Sequence, residues 1–399
     1  MNGASSLLLL LALYLRVEMA NPRTWSVAPM MKHTHGWQRA FMRLVSPGCT
    51  TFSEMLTPEM LLADPNYHLF QTMLETGDVV NQPVLQLGGR DPALLAAAVK
   101  VAFSHERYPY RRFNLNVGCP SNTVATVNSF GCSLMLEPEL TVACCEAMKE
   151  ACDGLGEVSV KCRVGVDEQD SLQELTTFVS TLHEKAGVDY FQIHARKAIR
   201  SLAPIKNRDV PPLNYDNVYQ IARAFPQCRI EINGGIGSPP QAVEHLLKCP
   251  QLSGVMIGRA VVNHPYSFVG MEAALRGVAP TDTNTPTRGE ILGRYMELVA
   301  ASYSPRKGAP SSVARVISPV FSLFVGEEDG VSRRFQRTLT KLNSRGISNP
   351  ALILSEATKE AGSRALDSRA CKSTEELLQE VPWLHLAKRS SAPLKAHII

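Results

Sequence analysis

The chain has 399 residues, 45% hydrophobic and 20% charged, with a formal net charge of +4. A folded core is within reach of that composition and intrinsic disorder is excluded as the default; the length suits one large and one small domain. The net charge alone says little about a nucleic-acid partner. The ten cysteines include no Cys-x-x-Cys pair, so a reducing compartment without a structural zinc or iron–sulfur site is the simplest reading.

In chain order, residues 1–23 come first as an apolar leader or targeting segment. "SSLLLLLALYLRVEMANPR" is of signal-peptide length and short for a membrane span. No basic residue precedes it and no clear small-x-small site follows. A signal, an organelle leader and a mis-called gene start all stay open. The segment is set aside from the fold.

Eight short β-rich runs follow: Trp25–Ala28, Thr50–Glu54, Val84–Leu87, Phe113–Val117, Val158–Cys162, Tyr190–Ile193, Arg229–Ile232 and Val255–Ile257. Segments of helical period separate most of them, such as "DPALLAAAVKVAFSHE", "PELTVACCEAMKEACD" and "SLQELTTFVSTLHEKAG". Asp91-Pro92 and Ser238-Pro239-Pro240 read as helix starts. This alternation predicts an α/β fold, a (β/α)8 TIM barrel over 24–280. A doubly wound sheet competes, but no Gly-x-Gly-x-x-Gly turn follows the first strand.

In such a barrel, function gathers at the C-terminal strand ends. Those ends here carry Pro29-Met30, Glu54-Met55, Gln86, Asn116 with Cys119, Lys161 with Arg163, His194 with Arg196, Asn233-Gly234-Gly235 and Gly258-Arg259. In "RRFNLNVGCPSN" the strand breaks at Gly118-Cys119-Pro120. By itself Cys119 reads as a reactive group, a metal ligand or a plain turn residue. The polar residue at every strand end favours a reactive role. "INGGIGS" and "MIGRA" offer bare backbone N–H groups, a helix start and an arginine, a combination that suits a phosphate. Lys161, Arg163, His194 and Arg196 suit a phosphorylated cofactor and an anionic substrate, and would favour a thiolate at Cys119.

Beyond residue 285 the pattern is helical: "RGEILGRYMELVAAS", "VARVISPVFSLFVG" and "GVSRRFQRTLTKL". A small helical domain is expected over 286–345, with a variable tail over 346–399 and a further helix at Ala351–Ala361. Arg334 and Arg337 share a helix face that Lys341 extends, with Arg333 and Arg345 close by. Such a stripe neutralises phosphates; a solvated helix face is the plain alternative.

The motifs "SVAPM", "SEM", "PVLQLGG", "NLNVGCPS", "GCSLM", "VKCRVGVD", "IHARKA", "NRDVPPLNYD", "INGGI" and "MIGRA" occur in the order found in tRNA-dihydrouridine synthases. Over about Ser26 to Leu342 the chain resembles that family, and its "IHARKA" and "VPPL" segments resemble the subfamily acting at uridines 20 and 20a of the tRNA D-loop. The resemblance implies FMN in the barrel mouth, NADPH as reductant, and reduction of uridine to 5,6-dihydrouridine with Cys119 as the proton donor. It implies that Pro29, Met30, Met31, Gln86, Lys161, His194, Asn233, Gly234, Gly235, Gly258 and Arg259 hold the cofactor. Asn116, Arg196, Lys197, Asn207, Arg208, Arg334 and Arg337 would meet the substrate. No metal is expected, nor a stable membrane partner. A monomer is expected, in the cytoplasm or in a tRNA-containing organelle, a mitochondrion or plastid. The chain departs from the family at Met31-Lys32-His33-Thr34-His35, where two acidic positions are lost, and in "KAIRSLAPIKNR", which is one residue short and lacks a glycine. Two rivals remain: an FMN barrel reductase for a small enone or pyrimidine, and an RNA-binding protein without catalysis.

Overall fold

The computed structural model describes residues 23–63, 82–106, 109–120, 130–276, 285–303 and 313–369. The leader up to residue 22 and the tail from residue 370 lie outside the described residues. The strands are β1 (Thr24–Val27), β2 (Thr50–Thr51), β3 (Leu85–Leu87), β4 (Arg112–Asn116), β5 (Glu157–Arg163), β6 (Tyr190–His194), β7 (Arg229–Asn233) and β8 (Gly254–Ile257). All pair in parallel, in the order β2-β1-β8-β7-β6-β5-β4-β3. The two edge strands meet through single parallel bridges, Phe52 with Val84 and Leu56 with Leu87. Ser53 N donates to Val84 O at 2.9 Å and Leu56 N to Gln86 O at 3.0 Å. The sheet closes on itself as the (β/α)8 barrel that the strand–helix alternation predicts.

β2 is shorter than its alternating sequence suggests. Beyond Thr51 the Ser53 hydroxyl takes over a ladder position, accepting Gln86 N at 2.9 Å. That hydroxyl donates in turn to Glu54 O at 2.8 Å. Side-chain bonds of this kind displace regular pairing. The outer helices start where the sequence says. Asp91 caps Pro92–Phe103 through Ala93 N and Leu94 N. Ser171 and Glu174 form a reciprocal box at the head of Leu172–Ala186, and Gly187 ends that helix at φ 59°.

The barrel interior is divided. Ala28, Phe52, Val84 and Met256 form an apolar plug. Opposite it runs a buried polar ladder. Gln86 Nε2 donates to Asn114 Oδ1 at 2.7 Å, and Asn114 Nδ2 donates to Ser159 Oγ and Gln192 Oε1 at 2.9 and 2.8 Å. Lower down, the fully buried Glu231 accepts from Ser26 Oγ at 2.6 Å, Tyr190 Oη at 2.8 Å and Thr24 Oγ1 at 3.1 Å.

Past residue 285 the described chain is helical. Arg288–Ser302 packs on the barrel's Gly36–Val45 helix through Tyr295, whose ring lies 6.4 Å from Trp37 and 5.4 Å from Phe41. Where one helical stretch is expected across "VARVISPVFSLFVG", the helix stops at Ile317 and a single tight turn, Ser318–Val320, follows. Pro319 has no N–H to continue it. Val331–Ser344 and Pro350–Lys359 pack together, burying Phe335 and Leu339 with Ile353, Leu354 and Ala357.

Candidate active site

One cavity of about 540 Å³ opens at the C-terminal ends of the strands, within the size range of small-molecule sites. Its walls hold Pro29, Met30, Met31, Gln86, Asn116, Cys119, Lys161, His194, Arg208, Asn233, Gly234, Gly235, Gly258 and Arg259. The thiol-bearing turn and the glycine-rich turn therefore face the same space. Ala28, Met55 and Met256 give the cavity an apolar side.

The Cys119 turn is built from Asn116. Its Oδ1 accepts Gly118 N at 3.2 Å and Cys119 N at 3.0 Å, and its Nδ2 donates to Gln86 Oε1 at 2.9 Å. The polar ladder thus ends by holding the cysteine in place. Arg163 fixes the other side of the turn. Its Nε donates to Gly118 O at 2.7 Å, and its Nη1 to Arg196 O and Lys197 O at 3.3 and 3.2 Å. One buried guanidinium at the end of β5 so joins the loops after β4 and β6. Burial draws its pKa down to about 10. This clamping role has no local signature, since Arg163 bonds a carbonyl 45 residues away.

Lys161 donates to Asn233 Oδ1 at 3.2 Å, and Asn233 Nδ2 donates to Met256 O at 2.7 Å. Loss of water around the ammonium, helped by the charge of Arg163, lowers its pKa to about 8. His194 is pushed well below the ordinary range by desolvation and then by Arg163 and Lys161. It is therefore neutral. Its Nδ1 accepts Arg196 N at 3.2 Å, which assigns the ring proton to Nε2.

Gly234 and Gly235 sit at φ 112° and 71°, conformations that glycine alone adopts cheaply. Among the described residues, the N–H groups of Gly234, Gly235 and Ile236 donate to no protein acceptor. At Gly258 an added Cβ would meet nothing closer than Ala28 Cβ and Met30 Sδ, both at 3.7 Å, so bare backbone lines the cavity there. Arg259 pairs at 3.3 Å with Asp209 on the rim. Two glycine turns, an arginine and an adjoining apolar wall fit a flavin carrying a phosphate.

Not every expected site residue reaches this space. Asn207 is a correction. It is fully buried, and its amide binds Ile199 N and the carbonyls of Ile199 and Leu202, so it shapes the loop instead of facing a ligand. Arg196 reaches back to the Asp209 and Pro211 carbonyls, and Lys197 pairs with Asp170 at 2.8 Å. Arg334 and Arg337 lie away from the cavity on the exposed side of Val331–Ser344. There Arg333, Arg337, Lys341 and Arg345 have no carboxylate within 4.0 Å among the described residues.

In the atypical first loop, His35 caps Gly36–Val45 by accepting Gln38 N, and its Nε2 lies 3.2 Å from Ser318 Oγ. Lys32 takes φ 68° and donates its N–H to Glu54 Oε1. Glu54 also faces Arg315 at 3.8 Å.

The family model for dihydrouridine synthase matches residues 26–349. The chain belongs to that family. Curated relatives named tRNA-dihydrouridine(20/20a) synthase include one from Synechocystis sp., 36% identical over 82% of this chain and 92% of its own length. Another, from Shewanella oneidensis, is 43% identical over 69% of this chain and 78% of its own length. A third, from Pseudomonas syringae pv. tomato, is 37% identical over 84% of this chain and 94% of its own length. Dihydrouridine synthases are flavin-dependent oxidoreductases that modify tRNA, and the barrel mouth described here fits that chemistry.

Proposed function

We propose that this dihydrouridine synthase reduces uridines 20 and 20a in the tRNA D-loop, with FMN as its flavin and NADPH as electron source. The observation that carries this reading is the sharing of one cavity by Cys119 and the Gly234-Gly235/Gly258-Arg259 backbone. FMN bound there and reduced by NADPH would supply a hydride for carbon 6 of the uracil. Gly234, Gly235, Gly258 and Arg259 would hold its phosphate; Pro29, Met30 and Met31 would line its ring, with Gln86, Lys161, His194 and Asn233 along its edge.

Cys119 gives its thiol proton to carbon 5 of the base from the opposite side. Asn116 and Arg163 brace the backbone of the turn that carries that thiol. Lys161 brings positive charge to a site that gains electrons during the reaction, and the neutral His194 offers an Nε2–H. Arg208 meets the substrate at the rim. The uridine leaves its stack to enter, at a cost of a few kcal/mol. The exposed bases of Val331–Ser344, Arg334 and Arg337 among them, offset that cost by gripping tRNA, and the chain works as a monomer wherever tRNA is kept. No helix among the described residues is long and apolar enough to cross a membrane.

The test is reconstitution. Full-length protein, FMN, NADPH and unmodified tRNA should yield dihydrouridine at positions 20 and 20a by mass-resolved mapping. Free uridine should react poorly for want of remote binding energy. Reduction of small enones with no activity on tRNA would support the FMN-reductase rival instead.

A further inference from the structure

The segment "NRDVPPLNYD" contributes little to the cavity wall, where only Arg208 appears. Its later residues go elsewhere. Asn214 N donates to Ala195 O at 2.6 Å, fixing the start of Tyr215–Ala224 against the end of β6. The Tyr215 hydroxyl then donates to Gly234 O at 2.7 Å. A Cβ built on Gly235 would lie 2.6 Å from Leu213 Cδ1 and 2.8 Å from the Tyr215 hydroxyl. Leu213 and Tyr215 are therefore pressed against the back of the Gly234-Gly235 turn.

Tyr215 is itself braced. Its ring lies 4.3 Å from that of His245, tilted by 60°. His245 is buried and its Nδ1 is bonded to Tyr219 Oη at 2.6 Å. His245 belongs to Pro239–Lys248, the helix that follows the glycine turn. On that side Gly237 N is bonded to Gln241 Oε1 at 2.7 Å. The column Tyr219–His245–Tyr215 thus runs from the outer helices to a single peptide of the turn.

We infer that Tyr215 is a positioning residue for phosphate recognition: its hydroxyl fixes the Gly234–Gly235 peptide so that the turn's N–H groups point at the flavin phosphate. This rests on the reading of that turn as the phosphate site. Left-handed glycines have wide conformational freedom, and a turn of two of them needs a fixed carbonyl to keep its N–H groups converged. Tyr215 does not line the cavity and bonds the turn from behind, so its effect is confined to the phosphate end.

The discriminating probes are FMN and riboflavin, which differ only in the phosphate, each titrated into the full-length chain by flavin fluorescence. The native protein should bind FMN much more tightly than riboflavin. Tyr215→Phe keeps the ring and its contact with His245. It should weaken FMN about three- to tenfold, the worth of one neutral hydrogen bond, with riboflavin binding unchanged. Gly235→Ala, which drives a methyl into Leu213 and Tyr215, should weaken FMN further by the same measure. Equal weakening of both ligands in Tyr215→Phe, or no weakening of either, overturns the inference. Native protein that fails to distinguish FMN from riboflavin overturns the phosphate reading beneath it.

Discussion

The barrel buries ionisable groups at two levels and treats them in opposite ways. Near its base, Glu231 is fully enclosed and surrounded by the hydroxyls of Thr24, Ser26 and Tyr190. Near its mouth, Lys161 has one neutral amide partner and His194 one backbone N–H. The lower group is satisfied by hydroxyls within the protein, so its work is structural. The upper groups are stripped of water beside a cavity, which lowers the pKa of both, and the charge of Arg163 lowers them further. That arrangement costs stability and is relieved by an anionic ligand.

The largest expected effect falls on chemistry at the mouth. Cys119→Ala should cut dihydrouridine formation by about two orders of magnitude or more, with flavin binding and NADPH oxidation preserved. Rate and flavin absorbance measured on one preparation check this; a normal rate would remove the proton-donor role. At the base, Glu231→Ala leaves three hydroxyls without their acceptor. It should lower the melting temperature by several degrees, at about 1–3 kcal/mol for each buried group left unpaired.

Lys161→Met sharpens the contrast because its two effects have opposite signs. It should slow dihydrouridine formation by tenfold or more, yet raise the melting temperature by removing a desolvated charge. The native rate should lose a component above pH 8 as Lys161, with its pKa lowered to about 8, gives up its proton; the variant should lack that component. The smallest effect belongs to His35, whose pKa is lowered to about 3 by burial and then by Arg315 and Arg39. Between pH 6.5 and 3 the unfolded chain takes up a proton that the native His35 refuses, so stability drops as pH falls through that window. His35→Asp puts a carboxylate between the two arginines and keeps a helix cap. It should shrink the difference in melting temperature between pH 7 and pH 5.

The strands and the cavity wall were legible because their signals are local. Alternating runs closed by Gly-Cys-Pro or Gly-Gly mark a strand and its tip together, so the positions of Cys119 and Gly235 follow from local pattern alone. Spacing could not show how side chains choose partners across the barrel. Asn207 looked like a rim residue and is buried. Arg163 stood out only as one cation among four, and Tyr215 only as part of a motif. Their roles rest on Gly118, 45 residues from Arg163, and on Gly234, 19 residues from Tyr215. Pro319 was visible in the sequence, but whether it breaks a helix or bends one depends on what packs around it.

The seam between β2 and β3 has a mechanical consequence. A two-residue strand joined to its neighbour by isolated bridges is the line along which the cylinder unzips most easily. Met55 and Gln86 stand on its two sides and both face the cavity. Whatever fills that cavity bridges the gap like a rivet, so amide exchange along Phe52–Leu56 and Val84–Leu87 should slow when flavin is loaded, more than at the continuous β5–β6 ladder.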